Sequence, residues 1–108
     1  MKEKVTIVIP CKNERSIIHK TLDLLDYQKN IDGVKVIVCD SSDDKVTNPT
    51  LTERVLSSKD KFNLVITQGG LPAEARNNGF KLVDTPYVLF MDADIFLLKN
   101  SIIEEVVT

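Results

Sequence analysis

The sequence lacks the features that mark several classes of protein. Lysine and arginine number 14 against 16 aspartates and glutamates, so there is no basic excess of the kind that nucleic-acid binding needs. No apolar run approaches the roughly 18 residues of a membrane-spanning helix. The N-terminal stretch also lacks the longer apolar region and small-residue cleavage site of a signal peptide. We therefore expect no nucleic-acid partner, no membrane span and, by default, a cytoplasmic location.

Cysteine is scarce as well. Cys11 and Cys39 are the only two cysteines, which is too few for a disulfide framework, and their spacing matches no zinc motif. Each comes at the end of a predicted strand, so we expect reduced thiols at the edge of the core, near one another. Internal repeats, low-complexity segments and interdomain linkers are also missing, which indicates a single domain over residues 1–108.

Apolar, β-branched runs alternate with helical patterns along the chain. The runs at 4–9, 34–40, 63–67 and 87–91 are continuous rather than alternating, which is typical of parallel strands covered on both faces. Helical periodicity follows at about 14–28, 50–60 and 72–83, with Asn13 as the expected N-cap of the first helix, and a short helix after Asn100. This order predicts a three-layer α/β/α sandwich with a mainly parallel sheet.

In such sheets, ligands bind at the carboxyl ends of the strands. The sequence places residues 10–14, 40–44, 68–71 and 92–94 at those ends, and three of these four segments carry carboxylates. Like charges that meet on one rim repel each other, so several carboxylates together require a partner.

The stretch "YVLFMDADIF" is the sharpest case, because a buried strand runs directly into Asp92 and Asp94. Both side chains can reach one ion, whether the strand continues or the chain turns after Asp92. Aspartate oxygens suit Mg²⁺ or Mn²⁺, and Mg²⁺ takes few carboxylates and completes its shell with waters and substrate phosphates. A pair of solvated or capping aspartates is the alternative.

The helix "PAEARNNGFKLV" is expected to begin at the same rim, where its free N–H groups favour phosphate. Arg76, one turn in, can bind a phosphate with its guanidinium fork or be an ordinary solvated arginine. Asp40 can accept from a base or a ribose hydroxyl, or simply cap the loop that follows it. Glu14 is a rim residue or a plain first-turn acid of the first helix.

Four segments together resemble the nucleotide-sugar-binding half of family 2 glycosyltransferases, which have the GT-A fold. "VTIVIPCKNE" is similar to the family's first strand and its Pro-x-x-Asn-Glu turn, and "VIVCDSSDD" to its Val-Asp-Asp-Gly-Ser-Thr-Asp segment. "GLPAEARNNG" resembles the Gly-x-x-x-Ala-Arg-Asn-x-Gly helix, and "YVLFMDADI" the strand that leads into Asp-x-Asp. The segments come in the family's order, from about residue 4 to the end.

The resemblance implies transfer of a sugar from a nucleotide-diphosphate donor, often a UDP-sugar, to an acceptor hydroxyl, with Mn²⁺ or Mg²⁺ as cofactor. It implies that Asp40 reads the base, that Glu14 lies at the ribose or base, and that Arg76 lies near the diphosphate or sugar. Metal binding falls to Asp94 and Asp92, with Asp92 at the ribose or acting through water. The remaining positions in the matching motifs that are expected to bind nucleotide are Pro10, Asn13 and Asp44.

The sequence also departs from the family pattern. The usual aspartate, glycine and threonine of the second segment are replaced by Cys39, Ser41 and Asp43. Asp40 and Asp44 are kept, so the pattern predicts nucleotide binding but leaves the identity of the nucleotide undecided. Family members continue well beyond Asp-x-Asp into an acceptor-binding half that supplies the general base. No residue here matches that base, so the expected fold is a truncated one that holds the donor half and lacks the acceptor half.

Two other functions are considered. The chain could be a non-catalytic nucleotide- or diphosphate-binding module that needs a partner. It could instead be a phosphoryl- or nucleotidyl-transfer enzyme, but Asp-x-Asp does not follow the first strand and no glycine-rich loop is present there. Because a shortened sheet exposes apolar surface, we also expect a homo-oligomer or poor solubility.

Overall fold

The computed structural model describes residues 2–70 and 72–107. Leu71, which belongs to one of the predicted rim segments, lies outside the described residues. Strands and helices alternate as the sequence predicts, in the order β1 (Val5–Cys11), α1 (Arg15–Leu25), β2 (Lys35–Asp40), α2 (Thr47–Ser57), β3 (Asn63–Gln68), α3 (Pro72–Phe80), β4 (Tyr87–Phe90) and α4 (Ile102–Val107).

The four strands form one parallel sheet in the order β3-β2-β1-β4. The register sets Cys11 opposite Asp40, and Asp40 opposite Gln68, so three strands end at the same level. The hydrogen-bond ladder therefore gathers the carboxyl ends of the strands at one rim.

Helices cover both faces of the sheet, which confirms the three-layer α/β/α architecture. One face packs against α1, α2 and α4 through buried side chains such as Ile18, Leu51 and Ile103. The other face packs against α3 around Val8 and Ala75.

The two cysteines are buried and free, as expected, but they lie on opposite faces of the sheet. Cys11 belongs to the larger core cluster and Cys39 to the cluster under α3. They lie on neighbouring strands one register step apart, and successive residues of a strand point to opposite faces. The two cysteines are therefore neighbours in the sheet, as expected, but their thiols lie on opposite faces of it.

Helix boundaries differ from the expected ones where a polar side chain satisfies the terminal amides. Helix α2 begins at Thr47, three residues earlier than its apolar pattern predicts. The carboxylate of Asp44 accepts from the amides of Val46 and Thr47 at 3.1 and 2.9 Å, which lets the first turn form. Pro49 is tolerated because the first turn needs no amide donor there. A hydrogen bond from the Thr47 hydroxyl, followed by these amide bonds, lowers the pKa of Asp44.

Strand β4 is paired with β1 and forms an outer edge of the sheet. The side chains of Tyr87 and Phe90 are 55% and 40% exposed, and those of Leu98 and Val106 are 86% and 57% exposed. Apolar surface is thus present near this edge, while association of two copies stays a prediction. None of the helices in the described ranges is long and apolar enough to cross a membrane.

A buried arginine ties α1 and α2 to the turn before β3. The Arg54 side chain is 3% exposed, and its Nε and Nη2 donate to the two oxygens of Asp60 at 2.8 and 2.7 Å. Nη2 also lies 2.9 Å from an oxygen of Asp23. Nη2 lies farther, at 3.7 Å, from an oxygen of the neighbouring Asp26. Burial, followed by the hydrogen bond with Asp60, raises the pKa of Asp26 to about 6.

The Asp26 carboxyl predicts a specific pH dependence of stability. Its pKa is raised above the ordinary value of 3.8. Its contribution to the free energy of unfolding is therefore complete below pH 3.8 and is lost as pH rises through about 6. In Asp26→Asn, this loss should disappear. Because Asp44 and Asp60 have lowered pKa values and act in the opposite direction, the quantity to measure is the melting-temperature difference between variant and wild type.

Thermal unfolding between about pH 4 and pH 7.5 checks this expectation. The difference should move in favour of Asp26→Asn as pH rises, and Asp32→Asn, on an exposed turn, controls for the lost negative charge. A difference that stays constant across this range would show that Asp26 does not hold a proton in the folded protein.

Candidate functional site

A pocket of about 530 Å³ opens at the carboxyl rim of the sheet. All four strand ends contribute to its wall, together with the first half of α3. The residues that line it are Pro10, Cys11, Lys12, Glu14, Ser41, Gly70, Ala75, Arg76, Asp92, Ala93 and Asp94.

The pocket brings together more than half of the residues that the sequence singles out. Pro10 and Glu14 come from the end of β1, and Arg76 comes from α3. Asp92 and Asp94 follow β4 on the same wall. Three separate segments thus deliver predicted site residues to one cavity, because parallel pairing aligns their ends.

The Asp-x-Asp segment turns sharply after the strand. Strand β4 ends at Phe90, and the carbonyl of Asp92 accepts from the amide of Ile95 at 3.1 Å. Ala93 is buried, and its carbonyl accepts a hydrogen bond from the Thr21 hydroxyl of α1. This anchoring leaves both aspartates exposed at the pocket, so the second of the two expected geometries is the observed one.

The donor atoms in this turn fit a hard divalent cation in part. Asp92 and Asp94 supply carboxylate oxygens, the ligand type that Mg²⁺ and Mn²⁺ prefer. Within residues 2–70 and 72–107, no group of three or more His, Cys, Asp or Glu side chains is arranged to hold a metal. The two carboxylates therefore suit only an ion that keeps waters and takes further ligands from a bound phosphate.

Lys12 lines the pocket although sequence reasoning did not single it out. A lysine in a turn is ordinary, so the only available signal was its place inside the Pro-x-x-Asn-Glu segment. In the described part of the chain, no salt bridge joins Lys12 or Arg76 to the three pocket carboxylates. Three carboxylates against two cations leave the pocket one net negative charge.

Cys11 also lines the pocket, but its thiol is not activated for reaction. Burial, and then the nearby negative charges of Asp40 and Glu14, raise the pKa of its thiol to about 12. The thiol therefore stays protonated near neutral pH, which removes Cys11 as a nucleophile.

Asp40 lies behind the pocket rather than on its wall. It is 7% exposed, and one carboxylate oxygen accepts from the amide of Ser42 at 3.0 Å. The other oxygen accepts from Nδ2 of Asn48 at 2.8 Å, which links the end of β2 to α2. Asp40 thus caps the loop after β2, as one of the two sequence interpretations expects.

Asn13 is not the N-cap of α1, so that expectation is wrong. The N-cap position is occupied by Glu14 and has no side-chain hydrogen bond. Asn13 instead has φ +52° and accepts with Oδ1 from the amides of Asp43 and Asp44 at 2.9 and 3.1 Å. Asp44 in turn holds the start of α2. The side chains of three predicted site residues thus form hydrogen bonds within and around the loop beside the pocket, namely Asn13, Asp40 and Asp44.

Helix α3 is held close to the sheet by two residues that are unusual inside a helix. A Cβ on Gly79 would lie 2.6 Å from Cγ1 of Val8 and 2.7 Å from Sγ of Cys39, so only glycine fits this approach. Asn78 donates with Nδ2 to the carbonyls of Gln68 and Gly69 at 3.0 and 3.1 Å. These contacts set the position of α3 and, through it, of Arg76.

Comparisons with known proteins identify relatives of this chain. The family model described as "Glycosyl transferase family 2" matches residues 6–108. A poly(ribitol-phosphate) beta-glucosyltransferase of Bacillus spizizenii is 30% identical over 104 residues, and the amylovoran biosynthesis glycosyltransferase AmsB of Erwinia amylovora is 38% identical over 96 residues. The matches cover 93% and 82% of this chain but 16% and 30% of those relatives. This chain therefore spans less than a third of their length.

Solved structures of similar fold include TarS of S. aureus, which matches with a TM-score of 0.77 at 25% identity over 95% of this chain and 18% of that one. TarS 1-349 in complex with UDP matches with a TM-score of 0.77 at 24% identity over 95% and 30% of the two chains. The same region in complex with UDP-GlcNAc gives 0.63 at 26% identity over 84% and 26%. These matches confirm the GT-A fold.

The contact at Gly79 yields a prediction about the α3 wall of the pocket. In an open helix, Gly→Ala would stabilise by up to about 1 kcal/mol. Here the added methyl meets Val8 and Cys39, so we expect Gly79→Ala to lower the free energy of unfolding by about 1–3 kcal/mol. Urea unfolding measures the change, and Asn77→Ala on the exposed side of the same helix is the control. A Gly79→Ala protein as stable as wild type would contradict the close packing of α3.

Proposed function

We propose that this chain, which belongs to glycosyl transferase family 2, binds a nucleotide-diphosphate sugar in its rim pocket for transfer of the sugar to an acceptor hydroxyl. The single observation that carries this proposal is the convergence of Asp92, Asp94 and Arg76 on one cavity. The fold is that of TarS, which has been solved in complex with UDP and with UDP-GlcNAc. We therefore propose a UDP-sugar as the donor.

The charges of the pocket support a metal-dependent mode of binding. The side chains that line the pocket have one net negative charge, which repels an anionic diphosphate. Asp92 and Asp94 would hold Mn²⁺ or Mg²⁺, and the bound cation would reverse that sign. When bound, the cation neutralises charge that develops on the departing nucleotide diphosphate.

The chain's own residues would then bind and orient the donor. Arg76, an exposed residue in the middle of α3, would offer its guanidinium fork to the diphosphate. Pro10 and Glu14 form the β1 side of the pocket, where we place the ribose or base. Asp40 lies behind them and would accept from the base if the loop of residues 41–44 admits it.

The acceptor site and the general base are not assigned to any residue of this chain. This chain covers 16% and 30% of the two curated relatives, so the complete transfer reaction is part of the proposal. The second candidate is a non-catalytic nucleotide- or diphosphate-binding module that depends on a partner. Donor binding needs only the pocket described above, so the same residues would serve either candidate.

Calorimetric titration with UDP, with and without Mn²⁺, tests the proposal. We expect binding that depends on Mn²⁺ and that weakens at least tenfold in Asp94→Ala and Arg76→Ala, since each loses a charged contact worth about 1.5–3 kcal/mol. Asp32→Ala is the matched control, because it removes an exposed carboxylate at the other end of the molecule. All four proteins should unfold at similar temperatures, since the substituted side chains are exposed.

Each result separates the candidates. Binding of UDP that is insensitive to Mn²⁺ and to Asp94→Ala would remove the metal from the proposal. Binding in the expected pattern without any hydrolysis or transfer of a UDP-sugar would favour the binding module. A folded protein that binds neither UDP nor GDP would overturn the proposed function and leave a shared fold without the shared activity.

A further inference from the structure

We propose that Asn13 is a positioning residue that latches the loop of residues 41–44 to the end of β1, rather than a residue that touches the nucleotide. Through this latch it sets the orientation of Asp40 and the β2 side of the pocket. The inference rests on the proposed function of the pocket, because it concerns which part of the ligand depends on that side.

The side-chain amide of Asn13 forms its hydrogen bonds with the loop of residues 41–44. Oδ1 accepts from the amides of Asp43 and Asp44 at 2.9 and 3.1 Å, and Nδ2 donates to Oδ1 of Asp43 at 2.8 Å. The backbone amide of Asn13 donates to Oγ of Ser42 at 2.7 Å. Four bonds from one residue thus connect two loops that are about 30 positions apart in the chain.

The backbone of Asn13 is left-handed, and its side chain bonds the loop and does not line the pocket. Lys12 and Glu14 on either side both line the cavity, whereas Asn13 does not. Its φ of +52° is a left-handed conformation, which asparagine adopts more readily than most residues. Asparagine therefore meets two requirements here, a left-handed turn and an amide that can both donate and accept.

Two chains of hydrogen bonds connect Asn13 to the carboxylate of Asp40. Ser42, which accepts from the Asn13 amide, donates its own amide to Oδ1 of Asp40 at 3.0 Å. The second path runs through Asp44, which holds the first turn of α2, and Asn48 in that turn donates to Oδ2 of Asp40. Both oxygens of Asp40 are thus fixed by groups that Asn13 holds in place.

On the other side of the pocket, Asp92, Asp94 and Arg76 form no hydrogen bond with Asn13 or with residues 41–44 in the described part of the chain. Asp92, Asp94 and Arg76 are held by Thr21, by the turn to Ile95 and by the packing of α3. Loss of the latch should therefore weaken binding of the nucleoside part of a ligand and spare the metal and diphosphate part. A ligand contact by Asn13 itself, or general unfolding, would not show this division.

A donor–acceptor exchange tests the latch. Asn13→Asp places a carboxylate against Oδ1 of Asp43, so the two should repel and open the loop. Adding Asp43→Asn restores the pair with its donor and acceptor exchanged. Asn13→Gly is the second variant, because it keeps the left-handed backbone and removes only the side chain. Asp43→Asn alone is the matched control.

Titrations use UDP and pyrophosphate, each with Mn²⁺. We expect the Kd for UDP to rise about tenfold in Asn13→Asp and Asn13→Gly and to return within about threefold of wild type in the exchanged pair. The Kd for pyrophosphate should stay within about twofold in all variants. Unchanged UDP binding, an equal loss for both ligands, or failure of the exchanged pair to recover would each overturn the proposal.

Amide hydrogen exchange makes the outcome independent of ligand binding. The amides of Asp43 and Asp44 donate to Asn13, so they should exchange at least tenfold faster in Asn13→Gly and Asn13→Asp and recover in the exchanged pair. Unchanged exchange would overturn the latch even where UDP binds. Faster exchange in a protein whose wild type binds no UDP would instead overturn the function proposed for the pocket and retain the latch as a structural one.

Discussion

Parallel pairing of β1 with β2 and β4 is the constraint on which the site depends. All ladder bonds run the same way, so every strand delivers its next residue to the same rim. Both faces of the sheet are covered by helices, and the strands must be apolar to fill that interior. Polar residues that follow a strand therefore gather outside it, and residues from four distant segments meet in one pocket.

The rim consists of two parts with different physical roles. In one part, carboxylates and amides satisfy one another, as Asp40, Asp44 and Asn13 do across the ends of β1 and β2. In the other, Asp92, Asp94 and Arg76 face the cavity and form no salt bridge with each other in the described ranges. Charges left together without mutual pairing reduce stability, which is typical of a site that a ligand completes.

The sequence predicts the alternating elements and the converging rim because both follow from local pattern and topology. Short, mostly apolar and β-branched runs such as residues 34–40 favour a doubly covered strand, and parallel order then brings Asp92 and Glu14 to one rim. What it does not predict depends on contacts between distant segments. The role of Asn13 depends on a loop about 30 residues away, and the early start of α2 depends on Asp44. The residue type of Lys12 carries no signal of its own, since a lysine in a turn is ordinary, and only its place inside the Pro-x-x-Asn-Glu segment points to the pocket.

Under the proposed function, cation and nucleotide binding are thermodynamically linked. The cavity has one net negative charge, so a divalent cation lowers the cost of bringing an anionic diphosphate beside Asp92 and Asp94. Linkage is reciprocal, so the diphosphate must raise the affinity for the cation by the same factor. Two carboxylates alone are few ligands for Mg²⁺, and phosphate oxygens supply the remainder. Under the proposed function, the two aspartates would be sufficient because the diphosphate would carry the missing ligands, and cation retention would fall once the diphosphate leaves.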